Sequence, residues 1–119
     1  MELVEPLDFA MRNSRVLARR VAVASYRGED IPTAYADLLD ELAGAVDAIA
    51  AELAARRMAA SVRPRLLELA RRSSELEHSP ELSAEVVLAQ IRSVIADLLA
   101  LTGMDPVAAI DALPALRRR

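Results

Sequence analysis

The most regular pattern of hydrophobic and polar positions lies in residues 79–103. Winding this segment at 100° per residue places its large aliphatic side chains inside one arc of about 160°. The arc carries Val87, Leu88, Ile91, Val94, Ile95, Leu98, Leu99 and Leu101. The opposite side is polar and carries Glu85, Gln90, Ser93 and Asp97. An apolar arc this wide predicts a core helix that packs against at least two neighbours.

The ends of this segment carry residues that favour the start and the stop of a helix. Ser79 or Ser83 is expected to accept hydrogen bonds from backbone N–H groups of the first turn, and Pro80 suits a first helical position. Gly103 is expected to end the helix because glycine adopts the left-handed conformation without a steric cost. The pattern and the boundaries therefore predict the same helix.

Four further helices are predicted, at about residues 6–27, 34–58, 65–77 and 106–113. The first is expected to bury Phe9, Val16, Leu17, Val21, Val23 and Ala24. The second carries a regular apolar stripe of Tyr35, Leu38, Leu39, Leu42, Val46, Ile49 and Leu53. Met11 is interpreted as a side chain that fills gaps in the core.

Glycine, proline and short polar residues mark the boundaries of these four helices. Gly28 is expected to end the first helix, and Thr33 to cap the second. Pro64 fits the first turn of the third helix. Asp105 is expected to cap the last one, with Pro106 at its first position.

Composition supports an all-helical protein. The 119 residues include only three Gly, and aromatic side chains make up 3%, whereas sheets favour β-branched and aromatic residues. Four long helices joined by short turns predict an all-α fold, an antiparallel four-helix bundle with a short C-terminal fifth helix. The length suits one domain, residues 1–116, followed by the Arg-rich tail 117–119.

Charge alternates along the chain in step with the predicted helices. Residues 6–27 hold five Arg and one acid, and residues 28–55 hold seven acids and no base. Residues 56–74 hold six Arg and one acid, and residues 75–116 hold seven acids and one Arg. Exposed ion pairs contribute only about 0 to 1 kcal/mol each, so we interpret the alternation as selecting which helices lie side by side. Ordinary solvated helix faces are the competing explanation.

The sequence offers little catalytic chemistry. It has no Cys and a single His, and it contains no phosphate-binding loop or nucleophile elbow. His78 lies at a predicted turn and is interpreted as a solvated loop residue rather than a metal ligand. We therefore predict a non-enzymatic protein with no catalytic residues, no metal and no cofactor.

The sequence also argues against a nucleic-acid-binding protein and against a membrane-spanning protein. The net charge is −3, and the basic residues alternate with acidic blocks. The longest interior run without a charged residue is residues 98–104, far below the roughly 20 residues that a spanning helix needs. The first fifteen residues lack the features of a signal peptide, so we expect a cytoplasmic protein. The positive charges of Arg19, Arg20 and the Arg tail suit peripheral contact with an anionic membrane surface, and salt-bridged or solvated arginines are the competing explanation.

Four stretches of the sequence resemble a known family. Residues 8–20 (DFAMRNSRVLARR), 28–32 (GEDIP), 86–93 (VVLAQIRS) and 97–105 (DLLALTGMD) resemble the soluble helical region of actinobacterial FUSC-type proteins, the fusaric-acid-resistance and aromatic-acid exporter family. These motifs concern packing and turns rather than catalysis. Members of the family typically carry this region beside multi-helix membrane segments.

The resemblance implies a cytosolic helical module of such an exporter, placed at the inner face of the membrane. We expect this module to act by self-association, as a homo-oligomer, or by docking to a membrane transporter subunit. The polar motif positions to examine first, as hydrogen-bond partners between helices, are Asn13, Gln90, Arg92 and Asp97. Asn13 could set the register of the first helix from a buried position, or place its amide in water at the edge of the stripe.

Two other functions remain open on the sequence. A regulatory bundle could bind an aromatic carboxylate between its helices, with an interior arginine as the partner of the carboxylate. Residues 40–58 loosely resemble the first helix of all-helical chorismate mutases. Such a site usually calls on a lysine together with arginines, and all fifteen basic residues of this chain are Arg. The enzyme is therefore the least favoured of the three hypotheses.

Overall fold

The computed structural model describes residues 4–76 and 81–116 and contains no strand within those ranges. The predicted all-helical class is confirmed. The described part of the chain forms five α-helices: α1 Val4–Tyr26, α2 Thr33–Ala54, α3 Arg63–Glu75, α4 Leu82–Leu101 and α5 Pro106–Asp111. A 3₁₀ turn, Ala59–Val62, leads into α3.

The helix α4 lies at the centre of the fold. It contacts α1, α2, α3 and α5, so the prediction of a core helix with several neighbours is confirmed. All eight aliphatic residues predicted for its apolar arc are buried, and Ile91, Ile95 and Leu99 are completely inaccessible to solvent. Burying so many large side chains on one helix gives α4 the largest share of the hydrophobic stabilisation.

The helices α1 and α4 end at the glycines that were predicted to end them. Gly28 follows α1 with φ 68°, and Gly103 follows α4 with φ 102°. After α4, the N–H of Gly103 donates to the Ala100 carbonyl at 3.0 Å and the N–H of Met104 donates to the Leu99 carbonyl at 3.3 Å. These paired bonds form a Schellman motif, which satisfies carbonyl groups that the end of a helix leaves open.

The helix α2 ends four residues earlier than the sequence predicted, at Ala54 rather than Met58. It ends in the same motif, but with Arg56 in the left-handed position at φ 59°. The N–H of Arg56 donates to the Leu53 carbonyl at 3.0 Å, and the N–H of Arg57 donates to the Glu52 carbonyl at 2.8 Å. Arginine carries no sequence signal for this conformation, which explains the wrong boundary.

Replacing Arg56 by glycine is expected to stabilise the protein. The left-handed conformation costs a residue with a Cβ about 1 to 2 kcal/mol, and glycine avoids this cost. Glycine also loses more conformational entropy on folding, which offsets part of the gain. We therefore expect the free energy of unfolding to rise by about 0.5–1 kcal/mol. Arg56→Ala is the matched control, because it removes the same side chain and keeps the Cβ. Urea unfolding of both variants measures the difference; an equal gain in the alanine variant would contradict this explanation.

Two predicted N-terminal caps are wrong. Thr33 is the first residue of α2, and Pro32 occupies the cap position without a side-chain hydrogen bond. Ser83 lies inside α4, whose cap position is Glu81. Ser79, Pro80 and His78 lie outside the described residues. The prediction for α5 is confirmed, because the Asp105 carboxylate accepts hydrogen bonds from the N–H groups of Val107 and Ala108, each at 3.1 Å.

The buried side of α1 also differs from the prediction. Phe9 and Val23 are exposed, whereas Leu17 and Ala24 face the core as predicted, and Ala10 faces it as well. These three residues recur every seven positions, and the two small alanines let α1 lie close against α4. In α2, Val46 departs from the predicted stripe and is 42% exposed.

Among the described residues, the charge pattern is reflected in an ion pair between neighbouring helices, that of Arg72 on α3 with Glu41 on α2. Other ion pairs are local, such as Arg12 with Asp8 within α1 and Arg57 with Glu52 at the end of α2. Within the described part of the chain, no helix combines the length and the hydrophobicity needed to cross a membrane.

Candidate functional site

Three of the four polar residues singled out in the sequence meet between α1 and α4. The side-chain amide of Asn13 donates to Asp97 Oδ2 at 2.5 Å. Gln90 Nε2 donates to Asn13 Oδ1 at 2.9 Å and to the backbone carbonyl of Asn13 at 3.0 Å. Gln90 and Asp97 stand seven positions apart on one side of α4, so Asn13 contacts them both and fixes the register of α1 along α4.

The carboxyl group of Asp97 is the electrostatic centre of this cluster. It is half-buried, and desolvation raises its pKa above the usual value, because burial disfavours the charged form. The hydrogen bond from Asn13 opposes that effect, because it stabilises the carboxylate. The ionised carboxylate is therefore a charge that a ligand or a neighbouring cation could stabilise further.

Arg92, the fourth polar residue, forms its hydrogen bonds outside this cluster. Its Nη1 donates to the hydroxyl of Ser73 at 2.8 Å, and its Nη2 donates to the backbone carbonyl of Pro114. Ser73 is completely buried in α3 and donates its own proton to the Ala70 carbonyl at 2.7 Å. Desolvation lowers the pKa of Arg92. Arg92 thus joins α3, α4 and the segment after α5.

A cavity of about 540 Å³ lies beside the polar cluster, where α1, α4 and α5 meet. Its walls are mainly apolar, and the charged groups that line it are carboxylates wherever they come from described residues. The lining residues are Glu5, Pro6, Phe9, Ala96, Asp97, Ala100, Gly103, Met104, Asp105, Pro106 and Ile110. We call it the α5 cavity.

A second cavity, of about 480 Å³, continues along α4 toward Arg92. It shares Ala96, Asp97 and Ile110 with the α5 cavity, so the Asp97 carboxyl stands at the boundary between the two. Arg92 lines only the second of them. The two cavities therefore differ in charge although they lie next to each other.

An apolar groove of about 300 Å³ opens on the other side of α1, between α1 and α2 and above α4. We call it the α1–α2 groove. The described residues that line it are Leu7, Ala10, Met11, Ser14, Arg15, Val46, Ile49, Ala50, Leu53, Leu98 and Leu101. Leu7, Met11 and Val46 are 44%, 48% and 42% exposed. These large apolar side chains lie together at the surface, and no neighbour among the described residues covers them, which is typical of a binding surface.

The α1–α2 groove was not among the features predicted from the sequence. Met11 was interpreted as a core residue, and Leu7 was outside the predicted stripe. The spacing of Leu7, Met11 and Ser14, at steps of four and three, did indicate one common face of α1. What the sequence lacked was the position of α2, which leaves that face open.

The arrangement offers no support for metal binding. Among residues 4–76 and 81–116, no group of three or more His, Cys, Asp or Glu side chains is placed to hold a metal ion. The features that stand out are instead an apolar surface, an acidic apolar cavity and a polar cluster between two helices.

Comparisons with known proteins place the chain beside one relative. An uncharacterized protein of Corynebacterium glutamicum is 29% identical over 119 aligned residues, which cover 93% of this chain and 30% of that protein. The chain thus spans less than a third of the relative's length. No family model and no solved structure matches the chain.

Proposed function

We propose that the chain is a non-enzymatic helical interaction module that self-associates through the α1–α2 groove. The observation that carries the proposal is the grouping of Leu7, Met11 and Val46, all large, apolar and more than two-fifths exposed, along one apolar groove. Covering such a surface removes apolar area from water at a gain of about 25 cal/mol per Å². A second copy of the chain can supply the cover from its own equivalent groove.

Charge supports a symmetric pair. α1 holds four Arg against Glu5 and Asp8, whereas α2 holds five acids and no base. A two-fold axis parallel to the helices would place α1 of one copy over α2 of its partner, so that the basic helix lies against the acidic one on both sides. An axis perpendicular to the helices would stack α1 on α1 and α2 on α2. Electrostatic complementarity therefore favours the first arrangement.

The biological setting follows from the resemblance to the aromatic-acid exporter family. We infer that the module is part of, or a relative of, the cytoplasmic portion of such a protein, and that pairing of modules brings membrane subunits together. The coverage of less than a third of the C. glutamicum relative is compatible with a module of a larger protein. In this proposal the four long helices form an antiparallel bundle, joined by short turns such as residues 27–32.

A ligand-binding function is the second candidate, because an arginine does line a cavity. The half-buried Arg92 faces the 480 Å³ space together with Asn13 and Ser93. A carboxylate ligand would have to compete with Ser73 and the Pro114 carbonyl for its donors, and it would approach Asp97. For these reasons we favour the interaction module over the aromatic-carboxylate sensor.

Light scattering coupled to size-exclusion chromatography tests the proposed self-association. We expect a mass of twice the 12.9 kDa chain at high protein concentration. Met11→Arg should give a monomer, because the new charge would be buried in the paired groove. Met58→Arg is the matched control, since Met58 is 47% exposed, close to the 48% of Met11, and lies outside the groove.

Each outcome separates the hypotheses. A dimer in the wild type and in Met58→Arg, with a monomer in Met11→Arg, supports pairing through the groove. A wild-type monomer at every concentration contradicts self-association and favours docking to a membrane partner. A dimer that survives Met11→Arg places the interface elsewhere. Circular dichroism of both variants verifies that they fold.

A further inference from the structure

The α5 cavity has the size and the wall chemistry of a small-molecule site. Its volume of about 540 Å³ falls within the usual range for ligand pockets, roughly 300–1,000 Å³. Phe9 and Ile110 lie on opposite sides of it, on α1 and α5, and are 45% and 63% exposed. Small residues of α4, such as Ala96 and Ala100, form the floor and leave the space open. An apolar body of moderate size would contact all three helices.

The charged groups decide what kind of molecule fits. Glu5 comes from α1, Asp97 from α4, and Asp105 from the turn between α4 and α5. No basic residue is among the described residues that line this cavity. An anionic ligand would therefore be repelled, whereas a cation would be attracted by the three carboxylates that line the cavity.

Asp97 is the carboxylate best placed to bind a cation. It is half-buried, unlike Glu5 and Asp105, so water screens its charge less. The amide of Asn13 fixes its orientation through Oδ2. The ring of Phe9 offers a second favourable contact, because an organic cation is attracted to the face of an aromatic ring.

We propose that the α5 cavity binds an organic cation, an amine whose charged group lies against Asp97 and whose hydrocarbon or aromatic body packs between Phe9 and Ile110. This site is separate from the α1–α2 groove and does not depend on self-association. It also differs in ligand charge from an aromatic-carboxylate sensor. The residues that distinguish the two cavities are Glu5 and Asp105, which line only this one, and Arg92, which lines only its neighbour, whereas Asp97 lines both.

A matched set of three compounds tests the charge requirement. We would follow two-dimensional NMR spectra of the protein at pH 7 with 2-phenylethylamine, the neutral 2-phenylethanol and the anionic phenylacetate. The amine is expected to bind at least tenfold more tightly than either of the others, with shifts in the signals of Ala96, Ala100 and Ile110. Equal binding of all three compounds, or no binding of the amine, would overturn the proposal.

Substitutions inside and outside the α5 cavity test whether the amine binds there. Asp97→Asn keeps an oxygen that can accept the hydrogen bond from Asn13, and it should weaken amine binding by tenfold or more. Asp111→Asn, on an exposed part of α5 outside the cavity, should leave binding unchanged. Ala100→Leu should fill the cavity and abolish binding. Unchanged affinity in Asp97→Asn would place the amine elsewhere.

The Met11→Arg variant separates this proposal from the proposed self-association. It should bind the amine as the wild type does, because Met11 lines the other groove. If the wild type proves to be a monomer and still binds the amine at Asp97, the cation site stands and self-association fails. If the dimer forms but no amine binds, the reverse holds.

Discussion

Replacing Ile91 by alanine is expected to lower the free energy of unfolding by about 2–5 kcal/mol. Ile91 lies on the buried side of α4, with none of its surface accessible to solvent. The loss combines the transfer of the removed methyl and methylene groups with the cost of the cavity they leave. Since α4 contacts all four other α-helices, its core residues support the whole fold rather than one pair of helices.

Urea unfolding followed by circular dichroism measures this loss. Leu82→Ala is the matched control on the same helix, because Leu82 is 75% exposed and should change stability by only about 0.5 kcal/mol or less. A loss below about 1 kcal/mol for Ile91→Ala, or equal losses in the two variants, would contradict the central position of α4.

Removing the side chain of Arg63 is expected to cost about 1.5–3 kcal/mol, the range for hydrogen bonds to charged groups. Arg63 begins α3, and its guanidinium reaches the end of α4. There Nε donates to Thr102 Oγ1 at 3.1 Å, and Nη2 donates to the Thr102 carbonyl at 2.8 Å. Thr102 is completely buried, so Arg63→Ala would take these charge-assisted donors from a buried residue. The charge of Arg63 also stabilises the C-terminal end of the α4 dipole.

A double-mutant cycle with Thr102→Val isolates this contact. The two substitutions should be less than additive, because either one breaks the bond between Nε and Oγ1. Arg65→Ala provides a comparison on the same helix, since Arg65 is exposed, and it should change stability by about 0.5 kcal/mol or less. Strict additivity of Arg63→Ala and Thr102→Val would show that the contact contributes nothing to stability.

The sequence predicted the elements that depend on local chemistry. The period of the aliphatic residues identified α4, and the identity of Gly28, Gly103 and Asp105 fixed three helix ends. The end of α2 could not be predicted in this way, because Arg56 adopts a left-handed conformation that no property of arginine favours. It is the surrounding chain, through the Schellman hydrogen bonds, that holds it there.

The orientation of α1 was misjudged for a different reason. Hydrophobic patterns give most weight to large side chains, so Phe9 and Val23 were expected to face the core. The structure buries Ala10 instead, beside the predicted Leu17 and Ala24, because small residues allow the closest approach to α4. Turning α1 in this way exposes Phe9 to the α5 cavity and Met11 to the α1–α2 groove.

The candidate sites could be predicted only in part from the sequence. Asn13, Gln90 and Asp97 were singled out as polar residues on otherwise apolar helices, but their pairing depends on the register of α1 against α4. The partner of Arg92 at residue 114 is a backbone carbonyl, which no side-chain pattern reveals. Both cavities along α4 depend on where α5 lies, and the sequence predicted α5 without its position.

Amide hydrogen exchange at low and high protein concentration tests the proposed self-association most directly. If two copies pair through the α1–α2 groove, exchange at high concentration should slow in residues 7–15 and 46–53, and it should stay unchanged in α3. The Met11→Arg variant should show no dependence on concentration. Identical exchange at both concentrations in the wild type, or a slowing confined to α3, would contradict the account.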